Sequence, residues 1–190
     1  MRRAMPDKGM NRPGGIDPML EVLRKRRSIR KYLETPLKRE EIQVLEEIVL
    51  RSPSAHNDKS WEFIFVEDRG LLGELAGVRA GSSAFLAGAT LGIVFLGNEQ
   101  VKDVWVEDAS VAAMSAQLAA EGMGIGSCWV QIRNRDHVPG VTAEDFVRRL
   151  LGIPAPFRVL AIAGFGYPAE EKPPYSRDAL CFEKIHRDRF

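Results

Sequence analysis

The residues from Trp105 to Gln131 limit the possible folds of this chain more than any others. After Glu107-Asp108-Ala109-Ser110 come Val111, Ala112, Ala113, Met114, Ala116, Leu118, Ala119 and Ala120. Such an alanine-rich run favours a helix, and Asp108 is placed to cap it, where a carboxylate complements the positive end of the helix dipole. Apolar residues cover nearly the whole circumference, so the helix is expected to be buried on all sides, its alanines admitting other backbones closely. Gly122 is the expected stop, since glycine takes a left-handed conformation without steric cost. Gly124-Ile125-Gly126-Ser127 then leads into Cys128-Trp129-Val130-Gln131-Ile132, which reads as a short buried strand. Glycines after a helix and before a strand reverse the order of a dinucleotide-binding fingerprint, which excludes that reading. Two alternatives stay open. The glycines let a main-chain edge approach something flat, or they close a tight turn.

The remaining elements fall around this core. Asp17 and Pro18 start a helix with Met19, Leu20, Val22 and Leu23 on its apolar face. Residues 38–51 form an amphipathic helix through Ile42, Leu45, Ile48 and Val49. Ser52-Pro53-Ser54-Ala55-His56-Asn57-Asp58 has loop composition. Trp61–Val66 reads as a strand buried on both sides, Leu71–Ala76 as a helix and Thr90–Leu96 as a second buried strand. Thr142-Ala143-Glu144-Asp145 opens another helix, stopped by Gly152 and Pro154. Phe157–Gly164 is the last strand. Four apolar strands with helices on both faces predict a three-layer α+β domain over 17–190, preceded by a flexible arm over 1–16 rich in Pro and Gly.

Charge excludes several functions. A net charge of +1 on 190 residues does not suit a nucleic-acid or acidic-membrane surface. The longest apolar run, Ala84 to Gly97, falls short of the ~18 residues a spanning helix needs. Two cysteines, Cys128 and Cys181, make no disulfide framework and point to a reducing, cytoplasmic setting. His56, His137 and His186 lack metal-ligand spacing, so no metal is expected. No acid/base or nucleophile set stands out, so an enzyme built this way would rely on a cofactor.

Arg26-Arg27-Ser28-Ile29-Arg30 is the most specific local feature. In an extended segment Arg26, Ser28 and Arg30 share a face, and two guanidinium forks with a hydroxyl suit a phosphate. Charge alone favours a solvated helix end instead. Ser54 and Asn57 are equally explained by turn formation. Cys128 on an apolar strand reads as packing rather than nucleophile.

Taken together, these residues resemble the nitroreductase family of FMN oxidoreductases. The resemblance rests on four segments in order. They are Arg26 to Arg30, Ser52 to Asn57 with Trp61 following, the central helix through Gly124 to Trp129, and Leu151-Gly152-Ile153-Pro154 through Gly164-Tyr167-Pro168 to Arg177. It covers residues 19–190. It implies a nitroreductase-like α+β fold, with a mixed or antiparallel sheet of four to five strands, in an intertwined homodimer with FMN at the interface. By position, Arg26 and Ser28 with Arg27 would hold the FMN phosphate, and Arg177 would complete that pocket. Arg30 would face the N1/O2 edge of the ring and stabilise its reduced, anionic form. Pro53, Ser54 and Asn57 would reach the flavin from the partner chain. Trp129, Val130, Gln131 and Ile132 would line one face, with a backbone N–H near Gln131 or Ile132 at N5.

The implied reaction is hydride transfer from NADH or NADPH to flavin N5, then electron transfer to a nitroaromatic or quinone by ping-pong. An FMN-dependent dehydrogenation, dehalogenation or flavin breakdown is an alternative, as are a flavin-binding module without turnover and a phosphate-dependent interaction protein. Three features depart from the family pattern. Asn57-Asp58-Lys59-Ser60-Trp61 replaces Asn-x-Gln-Pro-Trp. Tyr175 stands where many members carry a lysine. The segment from Gly97 to Trp105 is short, which implies an open active site.

Overall fold

The computed structural model describes residues 17–190, so the arm expected over 1–16 lies outside it. Helix α1 spans Pro18–Lys25, α2 Arg39–Leu50, strand β1 Trp61–Val66, α3 Arg69–Leu75 and β2 Leu91–Asn98. Helix α4 spans Trp105–Gly122, β3 Gly126–Gln131, the small hairpin β4 Asp136–Val138 and β5 Val141–Thr142, α5 Ala143–Leu151 and β6 Phe157–Gly166. Strands β1, β2, β6 and β3 form one sheet in that order, and every ladder in it is antiparallel. Of the expected mixed or antiparallel sheet, the antiparallel form is present, with four strands.

Alternation along the strands divides the core into two layers. Ile93, Phe95, Ala163 and Phe165 face α2 and α4, packing on Leu45, Val49, Ala109, Ala112 and Ala116. Val94, Val130 and Ile162 face the opposite way, onto Leu72 and Leu75 of α3 and Val147 of α5. The three-layer α+β expectation holds.

Local capping set several boundaries. The Asp17 carboxylate accepts the Met19 amide at 2.8 Å, and the Thr142 hydroxyl accepts the Asp145 amide at 3.0 Å. Gly152 ends α5 at φ 67°, the left-handed C-cap.

Three sequence expectations are corrected and a fourth is qualified. Helix α4 starts three residues before Asp108, so Asp108 lies inside the first turns rather than at the cap. The helix runs through Gly122, and the left-handed residue beyond it is Gly124, at φ 74°. Strand β1 packs into both layers, through Phe63 and Phe65 on one face and Ile64 and Val66 on the other, but it leaves Glu62 exposed at the sheet edge. Helix α4 is buried along its alanines but leaves Val111 at 44% and Met114 at 39% exposure. The circumference is apolar, yet the rest of this chain does not cover all of it.

Candidate functional site

The basic segment leaves α1 and runs along the outer edge of β3 and the end of β6. The Ile29 amide donates to the Ser127 carbonyl at 3.0 Å, and the Leu33 amide to the Tyr167 carbonyl at 2.8 Å. Ile29 is the anchor. It is buried against Gly126, where an added Cβ would lie 2.9 Å from the Ile29 Cβ. Of the two uses weighed for these glycines, Gly124 closes the turn. The close approach at Gly126 is to Ile29 of the same chain.

With Ile29 turned inward, alternate residues turn outward, and their side chains converge. The Cys128 thiol records this. Burial pushes it up, while Arg30, the Ser28 hydroxyl, Lys172 and Arg26 pull it back down. Three cations and the Ser28 hydroxyl are thus near enough to act on this thiol. The tail after β6 is held along the same segment. The Ala169 amide donates to the Lys31 carbonyl at 2.9 Å. The Glu170 carboxylate accepts the amides of Arg30 at 2.5 Å and Lys31 at 3.3 Å. The Arg30 amide in particular holds Glu170 below the ordinary carboxylate range. Lys172 Nζ donates to the Ser28 carbonyl at 2.5 Å. A cavity of about 420 Å³ is lined by Lys25, Arg27, Ile29, Glu121, Gly124 and Lys172, with Arg26, Ser28 and Arg30 outside its lining.

The outer edge of β3 adjoins this cluster. Ser127 uses its carbonyl outward, toward Ile29, while the Ile132 amide turns inward to Leu160 at 3.2 Å. Antiparallel ladders alternate, so Trp129 and Gln131 direct their main-chain groups to the outer edge.

The second candidate region is the loop before β1. The buried Asp108 carboxylate accepts the Ala55 amide at 2.9 Å and the Ser60 hydroxyl at 2.7 Å. Between them His56, Asn57 and Lys59 take left-handed backbone, at φ 52°, 62° and 52°. Positive φ is uncommon for such residues and persists where surrounding bonds enforce it. Lys102 Nζ adds a clamp, 2.7 Å from His56 Nδ1 and 2.8 Å from Asp58 Oδ2. The Ser54 hydroxyl accepts the Lys59 amide at 2.9 Å. Pro53 and Asn57 stay exposed.

The model of the nitroreductase family matches residues 23–80 and 74–167. A protein of Archaeoglobus fulgidus, provisionally named NADH dehydrogenase/NAD(P)H nitroreductase, is 32% identical over 185 residues, 92% of this chain and 100% of the relative.

This chain belongs to the nitroreductase family.

Solved members share the nitroreductase fold closely. An FMN-dependent nitroreductase from Clostridium difficile is 38% identical with a TM-score of 0.88, covering 90% of this chain and 99% of that one. A provisionally named NADH dehydrogenase/NAD(P)H nitroreductase from Parabacteroides distasonis is 28% identical with a TM-score of 0.83, covering 92% and 100%.

In this nitroreductase-family chain the expected residues fall in several places. Ser28 bridges to Ser127 on the edge of β3, with the Arg30 guanidinium 3.5 Å from its carbonyl. Arg27 lines the cavity with Lys172 and donates to the Pro173 carbonyl, its guanidinium 4.1 Å over the Tyr175 ring. Arg177 lies in a neighbouring groove with Leu20, Leu23, Arg24 and Phe182, its guanidinium 5.5 Å from the Phe182 ring centre. Pro53, Ser54 and Asn57 stand at the other end of α4. Their anchor Asp108 and Glu121, whose carboxyl feels Arg26, are about thirteen residues or ~20 Å apart along the helix.

On β3, the Val130 and Ile132 side chains are in the core, 2% and 0% exposed, so neither lines a cavity. Gln131 uses its side chain internally, accepting Trp129 Nε1 at 3.0 Å and donating to the Arg133 carbonyl at 2.9 Å. Of the two backbone N–H groups considered, Gln131's turns outward and Ile132's does not.

Sequence reasoning missed Lys172, Glu170 and the loop-holding role of Asp108. Pro168 and Pro173 on either side of Glu170 and Lys172 were the available signal, because they force the tail to stay extended there. No helix among the described residues is long and apolar enough to cross a membrane.

Proposed function

We propose that this protein is an FMN-dependent NAD(P)H oxidoreductase. The observation that supports this is the basic segment Arg26 to Arg30 laid along the outer edge of β3, with Ser28 bridged to Ser127 and the Arg30 guanidinium 3.5 Å from the Ser28 carbonyl. Clustered guanidinium groups with a hydroxyl match a phosphomonoester, and a main-chain edge next to them suits the rim of a flat ring. These residues fit FMN. When bound, FMN supplies the redox chemistry, accepting hydride from NADH or NADPH and passing electrons to a small nitroaromatic or quinone by ping-pong.

The chain's own residues would position and polarise. Arg26 and Ser28 would hold the phosphate. Arg30 would place positive charge where negative charge accumulates on the ring, an electrostatic contribution that needs no side-chain base. The outward amide of Gln131 would donate a hydrogen bond to the ring edge.

The site would be completed by a second copy. Pro53, Ser54 and Asn57 sit ~20 Å along α4 from the cation cluster, too far to share one ligand with it inside a protomer. Exposed Val111 and Met114 on α4, and Met19, Leu20 and Leu23 on α1, supply apolar area for that contact. We read residues 17–190 as one FMN-binding unit and place the protein in the cytoplasm, in keeping with its free cysteines.

The test is an absorption spectrum of the purified protein, followed by anaerobic addition of NADH and of NADPH. Bleaching of a flavin band supports the reading. Bound flavin that neither nicotinamide bleaches would favour a binding module without turnover. Protein that stays colourless after incubation with FMN would remove the reading.

A further inference from the structure

The short connection from β2 to α4 carries Lys102, whose ammonium stands between two residues of the loop before β1. Its Nζ is 2.7 Å from His56 Nδ1 and 2.8 Å from Asp58 Oδ2. The side chain is 19% exposed, so the contact is held rather than sampled. The bond to Asp58 pushes the lysine's pKa up, so it stays an ammonium. An ammonium only donates, and His56 Nδ1 therefore accepts. A neutral imidazole that accepts at Nδ1 carries its proton on Nε2. Among the described residues nothing bonds Nε2, and His56 is exposed.

We propose that Lys102 locks His56 as its Nε2–H tautomer, and that His56 then donates a hydrogen bond to an oxygen of the electron acceptor. This rests on the reading of an FMN site completed by a second copy, whose acceptor the loop would meet. Lys102 is a positioning residue here, and His56 is the group that touches the acceptor.

The loop is built to hold such a donor still. His56 lies between Ser54 and Asn57, and both His56 and Asn57 keep left-handed backbone, at φ 52° and 62°. Such backbone persists only where its surroundings enforce it. Asp108 fixes the loop through Ala55 and Ser60, and Lys102 fixes it through His56 and Asp58. The charge of Lys102 is itself answered by carboxylates, since Asp58 bonds it and Asp103 and Asp108 also act on it. What the loop offers is thus a neutral N–H, not a free cation. That suits an uncharged acceptor whose oxygen gathers negative charge, a quinone carbonyl or a nitro group, over an anionic one. His56 polarises that oxygen and keeps its own proton.

Nitrogen NMR of histidine-labelled holoenzyme reads the tautomer directly, at about pH 8.5, above the ordinary histidine pKa of about 6.5. His137 is the internal contrast, because its Nδ1 donates to the Val78 carbonyl at 3.0 Å. His56 is expected as Nε2–H alone in wild type and as a mixture in Lys102→Met. A mixture in wild type, or no change in Lys102→Met, would overturn the lock. The second readout is reoxidation of the light-reduced holoenzyme by p-benzoquinone and by ferrocenium, which has no oxygen to accept a hydrogen bond. The ratio of the quinone rate to the ferrocenium rate should fall about fivefold in His56→Ala, the loss typical of one neutral hydrogen bond. It should fall less in Lys102→Met, and Lys102→Arg should restore both the ratio and the tautomer. A damaged loop would slow both oxidants together, and an unchanged ratio in His56→Ala would overturn the role of His56. Wild type that holds no flavin would remove the FMN reading, and the acceptor role of His56 with it.

Discussion

The carboxylate of Asp108, inside α4, accepts the Ser60 hydroxyl with one oxygen at 2.7 Å and the Ala55 amide with the other at 2.9 Å. One buried side chain thereby fixes both ends of a loop in which His56, Asn57 and Lys59 hold left-handed backbone. Replacing Asp108 by Ala leaves a buried hydroxyl and an amide without partners, at a cost of about 3 kcal/mol. Ser60→Ala removes one donor and should cost about 1 kcal/mol. Urea denaturation of the flavin-free protein measures both. Equal effects from the two variants would mean that Asp108 holds nothing but Ser60.

Gly126 is the seat of Ile29. An added Cβ would lie 2.9 Å from two atoms of that side chain, so Gly126→Ala forces the basic segment off the sheet edge. We expect a loss of about 2 kcal/mol from overpacking, with weaker FMN binding because Ser28 and Arg30 move with Ile29. Adding Ile29→Ala should recover part of the FMN affinity. Strictly additive losses in the double variant would show that the two residues are not in contact.

Arg30→Ala should make the reduction potential of bound FMN more negative. Removing a charge interaction of about 1.4 kcal/mol corresponds to ~30 mV for a two-electron couple. Spectroelectrochemistry or dye equilibration reads the shift. An unchanged potential would remove Arg30 from the electrostatics of the site.

The tail clasp is pH-dependent with a definite sign. The Arg30 amide lowers the folded-state pKa of Glu170. Its contribution is therefore complete above the ordinary glutamate pKa of about 4.3, and fades as pH falls through the lower folded value. Wild type should melt above Glu170→Gln at pH 6 to 7, and the gap should close toward pH 3. A gap independent of pH would assign the difference to packing rather than charge.

Light scattering should give a mass about twice the 21.2 kDa of one chain. Met114→Asp, on the exposed stripe of α4, should shift it toward one chain and lose bound flavin at the same time. Loss of the dimer with flavin retained would mean that each protomer holds its ligand alone.

What the sequence disclosed was whatever depended on neighbours within a turn or two. Thr142 and Gly152 bound α5 because capping is decided within three or four residues. The extended course of the segment was legible because apolar Ile29 sits between polar neighbours, and it is Ile29 that is buried. Asp108 was misread as a cap because its partners are 53 and 48 residues away, and a helical carboxylate near a start looks the same in either role. Lys172 escaped notice for the same reason, since its contact with Ser28 spans 144 residues. The two packed faces of β1 were legible in its β-rich, apolar run, while its place at the edge follows from a strand order that local pattern does not contain.

Helix α4 works as a ruler. Asp108 sets the reach of one loop near its start, and Glu121 beside Arg26 marks the cation cluster near its end. Adding or deleting one helical turn between them would slide the loop before β1 past the basic segment by about 5.4 Å, more than a hydrogen bond can span. The thirteen residues from Asp108 to Glu121 therefore set how far apart those two segments stand, whatever side chains occupy the loop at Lys59 and Ser60.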